Sequence, residues 1–115
     1  MTKISDKDFN MLWGEALVSS DCDTFVAEWA TSIIWGEPEE LADDGMIEIA
    51  DYLPQLWTVA HMTVKEICAA AGLSQRALAV RYCIPTRTVE DWCRGVREPA
   101  PYIRLMMAKL LGLLP

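Results

Sequence analysis

The segment CIPTRTVEDWCRGVR, residues 83–97, concentrates the side chains best suited to recognition chemistry. Arg87, Arg94 and Arg97 supply guanidinium groups, while Glu90 and Asp91 place two carboxylates side by side. A guanidinium can bond guanine O6 and N7 as a bidentate pair, or meet a phosphate oxygen. A carboxylate beside a row of phosphates costs affinity, yet it can accept a hydrogen bond from cytosine N4. Two uses fit this mixture. Asp91 can contribute to base selection, or both acids lie on a solvated helix face with Glu90 paired to Arg87 or Arg94 at helical spacing.

The rest of the chain offers little covalent chemistry. No Ser/His/Asp or Cys/His arrangement, phosphate loop or metal box appears, so no catalytic residue, metal ligand or cofactor is assigned and no enzyme is expected. Cys22, Cys68, Cys83 and Cys93 form no CxxC pair, and His61 is a single histidine. In a reducing cytosol these thiols are expected to act as small buried hydrophobes. Trp13, Trp29, Trp35 and Trp57 read as core or interface residues rather than stacking platforms.

The elements that must hold these residues read as helices throughout, an all-α chain. No segment alternates apolar and polar residues at period two. Ser5 with Asp8 gives an N-cap signal, and Phe9, Leu12, Trp13, Ala16 and Leu17 then share a face. After a break over Ser19–Asp23, Val26, Trp29, Ala30, Ile33 and Ile34 suggest one helix ended by Gly36. The acidic stretch GEPEELADDG, residues 36–45, reads mostly as loop. A third helix is expected from near Met46, with a break or kink at Pro54 and a further helix from Gln55 to His61. Thr63 and Glu66 make a capping box, with Met62 and Ile67 as its hydrophobic staple. That short helix runs to Ala71 and stops at Gly72.

The spacing then becomes specific. Ser74 caps a helix from Gln75 to about Tyr82. Ile84-Pro85 makes a turn, and a second helix runs from about Thr86 to Arg94 before Gly95. Leu78, Tyr82, Ile84, Val89 and Trp92 are its apolar positions, and Ala79 is the small residue where the two helices cross.

Charge divides the chain. Residues 1–60 hold thirteen Asp/Glu and two Lys, a balance of −11, whereas residues 61–115 hold eight Lys/Arg and four Asp/Glu, a balance of +4. The first part would repel a polyanion and the second could attract one. No apolar run approaches membrane-spanning length. The start MTKISDKDFNMLWGEAL has no signal-peptide core, because Asp6, Lys7, Asp8 and Glu15 interrupt it. A cytoplasmic protein without membrane association is expected.

Residues 62–114 resemble the helix-turn-helix domain of the Xre/Cro/C1-type phage-repressor family. The AGLSQ…LA segment, the TVxxW segment, the Gly95 stop, the downstream proline and the final LLGL carry the likeness. It implies a λ-repressor-like domain over 62–115, preceded by an acidic helical region over 1–61. It implies that Gln75, with Ser74 and Arg76 beside it, approaches a phosphate. It also implies that Thr86, Arg87, Glu90 and Asp91 face the major groove of double-stranded DNA, with Arg94 and Arg97 near the backbone. Two positions depart from the family pattern. Cys83 stands where glycine is common in the turn, at a cost of about 1–2 kcal/mol if φ is positive there. Cys93 stands where glutamate is common.

Two functions follow from this reading. One is a sequence-specific transcriptional regulator of bacterial, phage or mobile-element origin, acting as a homodimer because one recognition helix reads too few base pairs. Of Tyr102, Ile103, Met106, Met107, Leu110 and Leu111 in the last helix, some close the domain core and the rest, with Leu113, Leu114 and Pro115, would supply the dimer contact; the tryptophan-rich residues 1–61 are the other candidate. The other is an acidic protein-binding module whose residues 1–61 engage a basic partner, as an antitoxin, a DNA mimic or an anti-CRISPR-like phage inhibitor would.

Overall fold

Every described element is helical. A computed structural model describes residues 4–36 and 43–114, and among these the helices are α1 (Asp6–Val18), α2 (Cys22–Trp29), α3 (Asp43–Ala60), α4 (Val64–Ala71), α5 (Gln75–Arg81), α6 (Thr86–Arg94) and α7 (Pro101–Leu110). They divide into two compact units, Met1–Ala60 and His61–Pro115.

In the first unit, α3 packs against both α1 and α2. Ser5 caps α1 by accepting the Asp8 amide at 3.1 Å, and Asp21 caps α2 by accepting the Thr24 amide at 3.0 Å. Leu12, Trp13 and Ala16 of α1, Phe25 of α2, and Ile49, Tyr52, Leu53 and Leu56 of α3 are buried. The Trp35 ring meets Tyr52 edge-on, with centroids 6.2 Å apart. Burial pushes the Tyr52 hydroxyl up to about 12. Trp57 donates its indole N–H to the Ser19 carbonyl at 3.2 Å, which ties α3 to the break after α1.

Three expectations are corrected here. First, α3 runs unbroken through Pro54. An interior proline costs about 3 kcal/mol or more. On the turns around it, Ile49, Tyr52, Leu53 and Leu56 are all buried, and each such side chain contributes about 1.5–3 kcal/mol. The carbonyl that Pro54 cannot serve belongs to exposed Ala50, where water can reach it. Second, α3 begins at Asp43, before Met46, so the end of the acidic stretch is helical; residues 37–42 lie outside the described part.

Third, the stripe from Val26 to Ile34 is not one helix. α2 ends at Trp29, and a 3₁₀ turn, Ile33–Trp35, follows. The Trp29 carbonyl accepts from the Ser32 amide at 3.2 Å and the Trp35 indole at 2.8 Å. Thr31, Ser32, Ile33 and Ile34 are all middling or poor helix formers. Gly36 has a positive φ of 105°, but it follows the 3₁₀ turn rather than an α-helix.

The second unit follows the expected punctuation closely. Thr63 and Glu66 form a complete capping box on α4, and Gly72 ends that helix at φ 69°. Met62 and Leu73 pack against a core of Val64, Ile67, Cys68, Leu78, Ala79, Val89 and Met107. Ala79 is almost fully buried, which suits a close crossing of α5 and α6. Arg104 spends its charge inside the fold: it donates to the Met62 carbonyl at 2.8 Å, and burial lowers its pKa.

Candidate nucleic-acid interface

α6 owes its place to the turn before it. Tyr82 caps α5, Cys83 takes φ 56°, and the Cys83 and Ile84 amides bond back to the Val80 and Ala79 carbonyls at 3.4 and 2.9 Å. This is a Schellman motif with cysteine at the left-handed position. Pro85 then supplies the N-cap carbonyl for α6, which the Thr88 amide meets at 2.9 Å. No side chain caps α6, so the Thr86 and Arg87 N–H groups of its first turn remain available to an anion. At the other end Gly95 stops the helix at φ 77°.

Val89 is fully buried, and Trp92 and Cys93 pack against the core. At about 100° per residue, Arg87, Glu90, Asp91 and Arg94 fall together on the side of α6 turned away from Val89. Arg87, Glu90 and Arg94 are exposed there, and Thr86 is exposed at the start of the helix. Asp91 is not: its side chain is 14% exposed against 62% for Arg94, and its Oδ1 accepts from Arg94 Nη2 at 2.6 Å. The carboxylate that pairs with Arg94 is therefore Asp91, not Glu90. The Asp91 carbonyl also accepts the Val96 and Arg97 amides at 3.0 and 3.4 Å, so the Arg97 backbone is anchored on Asp91 while its side chain is exposed.

The remaining candidates stand on the neighbouring helix. Ser74 caps α5, its hydroxyl accepting the Ala77 amide at 3.0 Å, and Gln75 and Arg76 are exposed in the first turn. An N-cap serine still has its own hydroxyl proton to offer a phosphate. On the outward side of α6 two guanidiniums and two carboxylates balance, so Arg76 and Arg97 supply the surplus positive charge.

The cysteines divide by position. Cys68 is buried, Cys22 and Cys93 are half-buried, and Cys83 is exposed in the turn, contrary to the expectation of four buried thiols. The turn needs its backbone conformation rather than its side chain. Burial raises both Cys68 and Cys93, and the two thiols meet where α4 packs on α6. Among the described residues no group of three or more His, Cys, Asp or Glu is placed to hold a metal ion, and no helix is long and apolar enough to cross a membrane.

Sequence reasoning missed the Asp91–Arg94 pair. The i,i+3 spacing signals it, but Glu90–Arg94 at i,i+4 signals itself equally well. Burial of Asp91 decides between them, and that is a tertiary property.

A family model described as Helix-turn-helix matches residues 64–115, a span that takes in α4 to α7 whole. No curated protein and no solved structure matches the chain. With the capped α5, the left-handed turn at Cys83 and the exposed arginines of α6, this match places residues 64–115 in the helix-turn-helix family of the Xre/Cro/C1 type.

Proposed function

We propose that the protein is a sequence-specific, DNA-binding transcriptional regulator of bacterial, phage or mobile-element origin, acting in the cytoplasm by binding rather than catalysis. The observation that carries this reading is α6, a helix-turn-helix second helix whose outward side bears Arg87 and Arg94. α6 enters the major groove, Ser74, Gln75 and Arg76 approach a phosphate, and Arg97 meets the backbone. The protein acts as a homodimer. Tyr102, Met106 and Leu110 recur every fourth residue along α7 and are 64%, 55% and 63% exposed, a continuous apolar stripe that a second copy would cover.

Selection from random duplex DNA at two salt concentrations tests the reading. A short, palindromic site should enrich, with affinity falling steeply as salt rises. Absence of any enriched site at low salt would remove DNA reading from the account.

One observation favours a second reading, an acidic protein-binding module such as an antitoxin, a DNA mimic or an anti-CRISPR-like inhibitor. Glu15, Asp21 and Glu28 line an open groove of about 300 Å³ in the first unit, beside Val18, which is 79% exposed. Carboxylates around a largely polar groove with an exposed valine suit a basic polypeptide. Under this reading, Glu15→Lys with Glu28→Lys abolishes partner capture and leaves DNA selection unchanged.

A further inference from the structure

Asp91 and Arg94 are joined more tightly than a surface pair needs to be. The Nη2–Oδ1 distance is 2.6 Å, and the acid is largely shielded while the base is open. The Asp91 backbone is fixed as well, since its carbonyl holds the Val96 and Arg97 amides. A carboxylate so placed is poorly presented to a base edge. Arg94, by contrast, has five N–H donors, of which the pair engages one. The guanidinium keeps enough donors for a bidentate contact while its Nη2 is tied to Asp91.

Arg94 also stands in register with Arg87. Seven residues on a helix bring a side chain back to within about 20° of the same direction. They carry it about 10.5 Å along the axis. Arg87 and Arg94 thus form two prongs in line, one untethered and one held by a neighbour.

We propose that Asp91 is a positioning residue for Arg94: it fixes the guanidinium so that Arg94 reads a guanine edge, and it withholds that charge from indiscriminate phosphate contact. The inference rests on the DNA-reading function proposed above. A free arginine loses rotamer freedom when it binds, and a tethered one has already lost it. The paired carboxylate also cancels one unit of positive charge, so random DNA gains less than the correct site.

The test compares wild type, Asp91→Asn, Asp91→Glu, Arg94→Ala and the Asp91→Asn/Arg94→Ala double variant. Each goes through selection from random duplex DNA, then titration of the wild-type site and of random duplex across salt. The expected result is a guanine position whose preference falls about tenfold in both Arg94→Ala and Asp91→Asn. The double variant is no worse than either single one, and Asp91→Glu restores the preference. Asp91→Asn binds random duplex more tightly, with a salt slope steeper by about one.

A wild-type site whose preferences survive Arg94→Ala unchanged overturns the inference. Loss of a cytosine preference in Asp91→Asn that Arg94→Ala leaves intact overturns it too, because Asp91 would then be the reader. If wild type enriches no site, the proposed function fails and this inference falls with it, an outcome separate from an enriched site indifferent to Asp91.

Discussion

Asp21, in the first unit, accepts the amide and hydroxyl of Thr24 at 3.0 and 2.6 Å and so starts α2. Asp91, in the second, accepts a guanidinium and so governs where a positive charge points. The same functional group serves a helix in one place and an exposed arginine in the other. The difference lies in the neighbours. Residues 1–60 hold thirteen acids and two lysines, so a carboxylate there has few cations to meet. In residues 61–115 the four acids sit among eight Lys/Arg, and a carboxylate there can tune an arginine. Net charge therefore marks the unit that would tolerate a polyanion, while the pairing marks the arginine proposed to select a base.

The comparison breaks first at the cores. Leu78→Ala and Leu56→Ala each delete a fully buried side chain, at a cost of about 2–5 kcal/mol. If DNA reading belongs to the second unit alone, Leu78→Ala removes specific binding near its own melting transition, and Leu56→Ala leaves it intact. Equal loss of binding from both, in a titration of the selected site at a temperature where each variant stays helical, would make the division of labour wrong.

Arg87→Ala is next in size. The untethered prong should lose about 1–3 kcal/mol of affinity for the selected site, with helicity and melting temperature unchanged. Titration of the selected site against random duplex reads this directly. A loss confined to random duplex would assign Arg87 to phosphate contact instead.

The punctuation of the second unit was legible because each mark is a local backbone requirement. Gly72 and Gly95 take left-handed φ, Thr63 and Glu66 close a capping box, and Ser74 binds the Ala77 amide. The candidate site residues were legible only as types and as a shared helix face, since periodicity alone places Arg87 and Arg94 opposite Val89. What local signals could not supply was tertiary. Pro54 announces a break, but burial on both sides overrides it. Val26, Trp29 and Ile33 fit one helical stripe, yet the Trp35 indole occupies the Trp29 carbonyl and the chain turns. Asp91 and Glu90 are interchangeable in a sequence, and only the packing around α6 separates them.

Cys83→Gly sharpens the reading of the turn. Cysteine at φ 56° costs about 1–2 kcal/mol, and the exposed side chain returns no packing. Glycine relieves the strain but adds chain entropy to the unfolded state, so a net gain of about 0.5–1 kcal/mol is expected. A chemical denaturation midpoint that falls would show the thiol contributing a contact that its exposure does not suggest.

The smallest effect tests the carboxylate of the first unit. The Thr24 hydroxyl and then its amide lower the Asp21 pKa below its ordinary 3.8. A group whose folded-state pKa is depressed adds stability that is complete above its unfolded value and is lost as pH falls through the folded one. The contribution is therefore whole at neutral pH and disappears below pH 3.8, through the lower folded-state value. Asp21→Asn keeps a capping oxygen but cannot titrate. Wild type should exceed this variant in melting temperature at neutral pH by a modest margin, because the ionised oxygen bonds more strongly than an amide oxygen. That margin should narrow on acidification as the wild-type carboxylate takes up its proton. A gap that stays constant from neutral to strongly acidic pH would mean that Asp21 holds α2 by geometry alone. Its charge would then carry no part of the contrast with Asp91, whose proposed role depends on charge.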